Sequence, residues 1–498
     1  MNFYKFWQRH NGKVSFNKEL LPLELFSHLT HISAIATSNL PRGEIFTLAA
    51  NLPYHSAYYF KKVHFLVQEL NYNYAEACRT IGEITEEAKP KELLLHLSSS
   101  LIAGESEPSF LAREAYVMGE AFGDGYEREV ESLRKWTDGY MALVLSAAVI
   151  LTISIVSTII YPMSPSLVIS LCAIALFASS IGAWILYRAS PKDVKTYSSF
   201  DTSKEQKLAK SLLKICLPTA VIACPLLALL GLNLEWIMIT SAVLILPPGL
   251  LIMRDDKKID QRDNDIAGFL RSLGGVTKAI GSTITEALGR LNFRSLGSVQ
   301  SEVKSLQVRL TAGISPELCW SRFTSEMGSE LVKRSTEIFW DSVRIGGDPE
   351  EVGKASSMFA MKIVFLRAKR ALVSQSFTWL CITMHAVLVS LMVFIHQIMV
   401  IFSEAFQSLE VEGTSETLTD IPFTAPFAGS QLDLLQSVTI ALILIFCGAN
   451  AFAIKATQGG HNYKFIFYLS IMLAISGLVL VFVPQIASMI FSSLPMME

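Results

Sequence analysis

Long apolar runs alternate with polar, helix-patterned stretches along this chain, and that alternation sets the fold before any motif is considered. "MALVLSAAVILTISIVSTIIYP" (141–162), "SLVISLCAIALFASSIGAWILY" (166–187) and "LEWIMITSAVLILPPGLLIM" (234–253) carry no basic residue. A bilayer core ~30 Å thick takes about 20 apolar residues at ~1.5 Å rise each, which is the length of these runs. The pattern predicts spans near 141–161, 166–187, 213–232, 234–253, 377–402, 434–454 and 465–491, the last long enough to tilt. Buried helices of a soluble core do not supply so many charge-free runs of this length. Between the spans, "FLRSLGGVTKAIGSTITEALGRL" (269–291) sets Leu270, Leu273, Ile280, Ile284, Leu288 and Leu291 on one stripe of an amphipathic helix. Alternating β-branched runs long enough to build a sheet are absent from the sequence. The expected class is therefore all-α: a polytopic integral membrane protein with about seven transmembrane helices and two polar helical-bundle domains.

Composition agrees. Of 498 residues, 51% are hydrophobic and only 17% charged, and the mean hydropathy is +0.41, outside the ordinary soluble range. The net charge of −2 hides a segregation, since all 42 Lys and Arg fall within 1–140, 188–214, 254–370 and 455–464. With seven crossings and a cytoplasmic N-terminus, every one of them lies on the inner side, as the excess of Lys and Arg in inner loops requires. The C-terminus and the acidic connector 403–433 are then outside. The expected domains are a cytoplasmic helical domain over 1–140 and membrane helices over 141–253 with a basic inner loop at 188–214. A second, basic cytoplasmic helical domain follows over 254–376, then membrane helices over 377–498. The N-terminal "MNFYKFWQRHNGKVSF" lacks an apolar h-region, so no cleavable signal is expected. The seven cysteines form no CxxC or CxxH pair, which disfavours a disulfide scaffold or a zinc site.

The two polar domains carry the same corner. "AGESEPSFLAREA" (103–115) and "GGDPEEVGKASSM" (346–358) each place glycine at a helix end and an acid plus proline at the start of the next helix. Sliding the regions together pairs Val63 with Val303, Leu66 with Leu306 and Leu70 with Leu310. One residue later Glu76 meets Glu317 and Cys78 meets Cys319, and further on Gly104 and Glu105 fall on Gly347 and Asp348. Matches at helical spacing in the same order indicate an internal repeat.

Few motifs carry chemistry. "GGDPEEVGKA" has five residues between Gly347 and Gly353 rather than four, Ala355 in place of the Mg²⁺-binding hydroxyl, and no strand before it, so it is not a phosphate-binding loop. "EAYVMGEAFGDG" (114–125) has the look of a permease coupling loop but precedes every span. His385 and His396 lie three turns apart in the fifth span, where ionisable groups are costly; neutral histidines bonded to neighbouring helices are the simpler account. No catalytic constellation can be assembled, and neither a cofactor nor a nucleic acid partner is expected. Arg254, Lys257, Lys258, Arg262, Arg271 and Lys278 follow the fourth span, where some would hold anionic headgroups and others steer an acidic partner.

"KELLLHLSSSLIAGESEPSFLAREA" (91–115), "SVRIGGDPEEVGKA" (342–355), "YRASPKDVK" (187–195) and "GGHNYKFIFYLSIMLAISGLVLVFVP" (459–484), with the span pattern, resemble the platform proteins of type IV pili, type II secretion and archaella. The likeness is greatest to the archaeal FlaJ-like and TadC-like branch, and it covers nearly the whole chain. It implies two related F-type helical domains and a non-enzymatic scaffold in the cell membrane for assembly of an archaellum or type IV pilus-like filament. The scaffold would be a homodimer docked on a hexameric secretion ATPase and would handle pilin-like or archaellin subunits among membrane lipids. Docking would use Arg254, Lys257, Lys258, Arg262 and Arg271 with the corner Gly346, Gly347 and Asp348; Gly104, Glu105 and Glu107 form the matching corner of the first domain. The outer connector 403–433 maps to no function known of that family. The competing expectation is a permease subunit, for which Pro218, Pro225, Pro247 and Pro248 offer broken spans.

Overall fold

The computed structural model describes residues 19–160, 165–197, 204–411 and 429–492. Helices account for nearly all of them: α1 Leu21–Ala36, α2 Arg42–Asn51, α3 Ala57–Leu70, α4 Tyr74–Ile84, α5 Ala88–Ala103, α6 Glu107–Ile160, α7 Pro165–Ala189 and α8 Lys204–Leu229. The second half holds α9 Leu234–Ile280, α10 Ile284–Arg290, α11 Gln300–Thr311, α12 Pro316–Met327, α13 Glu330–Arg344, α14 Pro349–Val411, α15 Gly429–Gln458 and α16 Lys464–Ser492. The all-α class expected from the sequence is what the described residues show; their one β feature is an isolated bridge between Thr196 and Ser329.

Among the described residues, six helices are long and apolar enough to cross a membrane: α7, α8, α9, α14, α15 and α16. The seventh expected span, 141–161, forms the C-terminal part of α6, and its end falls outside the described residues. Most of the connector 403–433 also lies outside the described residues, as do the first 18 residues and the last six.

The chain divides into two compact units, one of residues 1–127, 192–203 and 258–367, the other of 128–191, 204–257 and 368–498. In the first unit the two polar regions share a single apolar core, in which Leu29 and Ile32 of α1 belong to the same cluster as Phe269, Phe323, Phe339 and Phe359. Helix α1 packs on α13, and 15 of its 16 residues are buried. Its buried polar side chains find partners there: Thr30 donates to the Phe26 carbonyl at 2.8 Å, and His28 lies 2.9 Å from Ser56 Oγ.

The two polar regions present their helices in a parallel order. Helices α1 to α6 and α9 to α14 follow one another in the same sequence, and α3, α4 and α5 match α11, α12 and α13 closely in length. Val63, Leu66 and Cys78 are buried, as are Val303, Leu306 and Cys319; only Leu70, half exposed, departs from its buried counterpart Leu310. Local chemistry fixes the ends. Asn73 accepts from Glu76 N at 2.7 Å to start α4, Pro316 opens α12, and Ser329 accepts from Leu331 N and Val332 N to start α13.

The second unit has its own core of Tyr140, Phe377, Val389, Met392, Phe446 and Met472. Small residues bring its helices together: a Cβ on Gly249 would lie 2.9 Å from Phe467 Cα, and one on Gly477 3.1 Å from the Glu235 carbonyl. Close backbone approach of this kind is how helices associate without water to drive them.

Candidate functional site: two helix corners and a basic helix

Both corners have the geometry their glycines predict. Gly104 has φ +70° and closes α5 by donating to Ser100 O; Gly346 has φ +100°, and Gly347 N reaches back to Ser342 O at 2.9 Å. Only glycine takes such angles without strain. In the first corner Glu105 accepts from Ser100 Oγ at 2.9 Å and from both terminal nitrogens of Arg113. Those hydrogen bonds, Arg113 foremost, hold its carboxyl below the usual range. Glu107 pairs with Arg42. In the second corner Asp348 Oδ1 accepts from Glu350 N at 3.0 Å, capping α14. Its other oxygen meets Lys278 Nζ at 2.8 Å, and that bond lowers the Asp348 carboxyl. Asp348 N also donates to Thr37 Oγ1, so this corner rests on the end of α1.

The basic residues of α9 separate into three situations. Arg254 and Lys257 are exposed and belong to the second unit; Lys258 and Arg271 are exposed and belong to the first. Arg262, expected on the docking surface, is buried. Its guanidinium donates to Glu302 at 2.5 Å and to the Met327 carbonyl at 3.0 Å. A guanidinium satisfied this way holds α9, α11 and the end of α12 together and has nothing left for a partner.

Three charged residues, Asp193, Asp263 and Arg367, form a second internal cluster. Arg367 donates to Asp193 at 2.6 and 2.9 Å and to Asp263 at 2.7 Å, and Ser329, the cap of α13, also binds Asp263. Asp193, just after the second span, is thereby pinned in the first unit. In the second unit Arg370 is buried and donates to the Thr457 and Pro191 carbonyls at 2.9 and 3.0 Å and to Ser190 Oγ.

His385 sits in a buried polar network of the second unit. Tyr140 donates to Asn450 Oδ1 at 2.7 Å, Asn450 Nδ2 faces His385 Nδ1 at 3.1 Å, and His385 Nε2 faces Ser476 Oγ at 2.9 Å. The Asn450 amide donates to Nδ1, so Nδ1 accepts and the proton of a neutral ring is on Nε2. Among the described residues no group of His, Cys, Asp and Glu is arranged to hold a metal ion. Gly353, the second glycine of the phosphate-loop-like string, lies against α9: a Cβ there would be 2.9 Å from Leu270 O and 3.2 Å from Gly274 Cα. Its conformational role is helix crossing.

The comparisons bear on this architecture directly. No family model matches the sequence, and no solved structure matches it. "Flagella accessory protein J" of Methanocaldococcus jannaschii is 24% identical over 414 residues, covering 81% of this chain and 73% of that protein. The protein of the same name from Methanococcus voltae is 21% identical over 440 residues, 84% of this chain and 76% of its own length. The resemblance to archaellum assembly platform proteins is thus found. The matched length is too great for the spans alone, so the likeness to flagella accessory protein J takes in polar helices as well as membrane helices.

Proposed function

We propose that this protein is the membrane platform on which an archaellum or a related type IV pilus-like filament is assembled. The observation that carries this reading is similarity to flagella accessory protein J over four-fifths of the chain; the doubled bundle supports it, since two related helix sets offer paired surfaces to a motor. In this reading the protein makes no chemistry of its own. A hexameric secretion ATPase binds the polar unit from the cytoplasm, and its cycle moves the platform so that pilin-like or archaellin subunits leave the bilayer and join the filament.

The charges divide the work. Arg254 and Lys257 follow the apolar run of α9 directly, where each is worth about 1 kcal/mol against anionic headgroups. In this reading Lys258 and Arg271, exposed on the first unit, meet an acidic ATPase surface, with the Asp348 corner beside Lys278. The test is deletion and complementation in the native host, scored for filaments by electron microscopy. Cells without the protein should be bald and the parent chain should restore filaments. Co-purification of the full chain with the candidate ATPase should fade with salt and drop in Lys258→Glu/Arg271→Glu. Filaments in the deleted strain would sink the assembly role; salt-insensitive capture unaffected by the double variant would move the docking surface elsewhere.

A further inference from the structure

Helices α1, α6 and α14 border a groove inside the first unit, with a cavity of about 510 Å³. Phe26, buried at its base, meets Phe359 of α14 with ring centroids 5.0 Å apart. Tyr116, Met358 and Met361 line the same cavity and are each about half exposed. Lys362 reaches across to Glu120 at 2.8 Å and ties α14 to α6. Apolar side chains of this size gathered in one open groove mark a binding place. The contacts of α1 also fix the end at which the chain arrives. Phe26 lies against Phe359 and Phe122, whereas Thr37, three turns on, meets Asp348. Helix α1 therefore runs antiparallel to this part of α14, and its first residue, Leu21, lies toward Met361 and Phe365.

We propose that the groove is filled by residues 1–18 of the same chain, which lie outside the described residues, with Phe6 and Trp7 as the anchors. Position is the first reason. The segment leads directly into α1, so it is delivered to the mouth of the groove at an effective concentration in the millimolar range. Length is the second. From Trp7 to Leu21 the chain can reach up to about 46 Å when extended, and the groove follows α14 from Glu351 to Phe365, roughly 21 Å of helix. Chemistry is the third. "MNFYKFWQRHNGKVSFNK" carries Phe3, Tyr4, Phe6 and Trp7 close together, and thioethers such as those of Met358 and Met361 contact aromatic rings favourably and adapt to their shape. Charge is the fourth. The segment has four Lys or Arg and no acid, while residues 19–127 carry 15 acidic and 7 basic side chains, so long-range attraction favours docking on its own unit.

Such docking holds whatever filament is built on this protein, and its test reads no filament. Met361→Cys is introduced into the full chain, purified in detergent, and its reaction rate with a maleimide is followed, with the parent's rate subtracted, beside that of Lys304→Cys on the exposed face of α11. Deleting residues 2–16, or combining Phe6→Ser with Trp7→Ser, should raise the Met361→Cys rate several-fold and leave Lys304→Cys unchanged. A peptide of residues 1–16 at millimolar concentration should slow Met361→Cys in the deleted chain again, and the same peptide with both serines should not. Because the segment belongs to the same chain, protection in the undeleted protein should survive dilution. An equal Met361→Cys rate with and without the segment, protection that fades on dilution and so belongs to a second copy, or protection by the serine peptide as strong as by the native one would each overturn the proposal.

Discussion

Gly274 and Gly275 are adjacent in α9, yet alanine should act on them with opposite sign. A Cβ on Gly274 would stand 2.2 Å from the Pro349 carbonyl oxygen and 3.1 Å from Gly353 Cα, whereas one on Gly275 meets nothing within 4 Å. Alanine is favoured over glycine in a helix interior by about 1 kcal/mol, and Gly275→Ala receives that gain alone. Gly274→Ala receives the same gain but must force α9 away from α14. Overpacking costs roughly 1–3 kcal/mol, and the upper end applies because the atoms in the way are backbone and cannot rotate aside. Gly275→Ala should therefore be more stable than the parent by up to about 1 kcal/mol, and Gly274→Ala less stable by about 2 kcal/mol. Denaturant unfolding of the purified protein in detergent measures this, followed by the fluorescence of Trp320 and Trp340, which stack in the same unit. Stabilisation by both substitutions would mean that α9 and α14 do not cross at this point.

Other substitutions probe other parts of the fold. Arg262→Ala should cost roughly 3–5 kcal/mol in the same unfolding assay, because Glu302 and two carbonyls lose a buried cation; a loss below about 1 kcal/mol would return Arg262 to the surface. Burial pushes the Glu337 carboxyl up to about 7, so the folded state keeps a proton that the unfolded chain releases, and stability falls as pH rises from about 4.5 through 7. That side chain is a third exposed, which trims the effect to on the order of 1–2 kcal/mol; Glu337→Gln should flatten the pH profile and gain stability at pH 8, and an unchanged slope would count against it. A double-mutant cycle on His385→Ala and Asn450→Ala should give a coupling of roughly 0.6–2 kcal/mol, whereas additive losses would show that their 3.1 Å contact carries no energy.

Span positions and glycine corners were legible because hydrophobic length and left-handed backbone leave local marks. The repeat was legible for the same reason: Val63 and Leu66 recur as Val303 and Leu306 on matching helical faces. Arg262 was not. A count of basic residues cannot see that Glu302 lies 40 positions along the chain and folds back onto it, nor that Gly328 turns the Met327 carbonyl toward it. The Asp193, Asp263 and Arg367 cluster escaped for the same physical cause, since its members come from three distant stretches and each alone reads as a solvated charge. The common core of the two polar regions depends on α1 meeting α13, a pairing across some 300 residues that no periodicity announces.

That pairing constrains biosynthesis. While the ribosome is still making residues before 330, α1 has emerged with its apolar surface and has no α13 to receive it, and the apolar helices α7, α8 and α9 come off the ribosome in the interval. Long-delayed contacts of this type leave a nascent chain prone to aggregation. Translation that stalls between residues 130 and 330 should accordingly yield fragments dependent on chaperones and cleared by proteases.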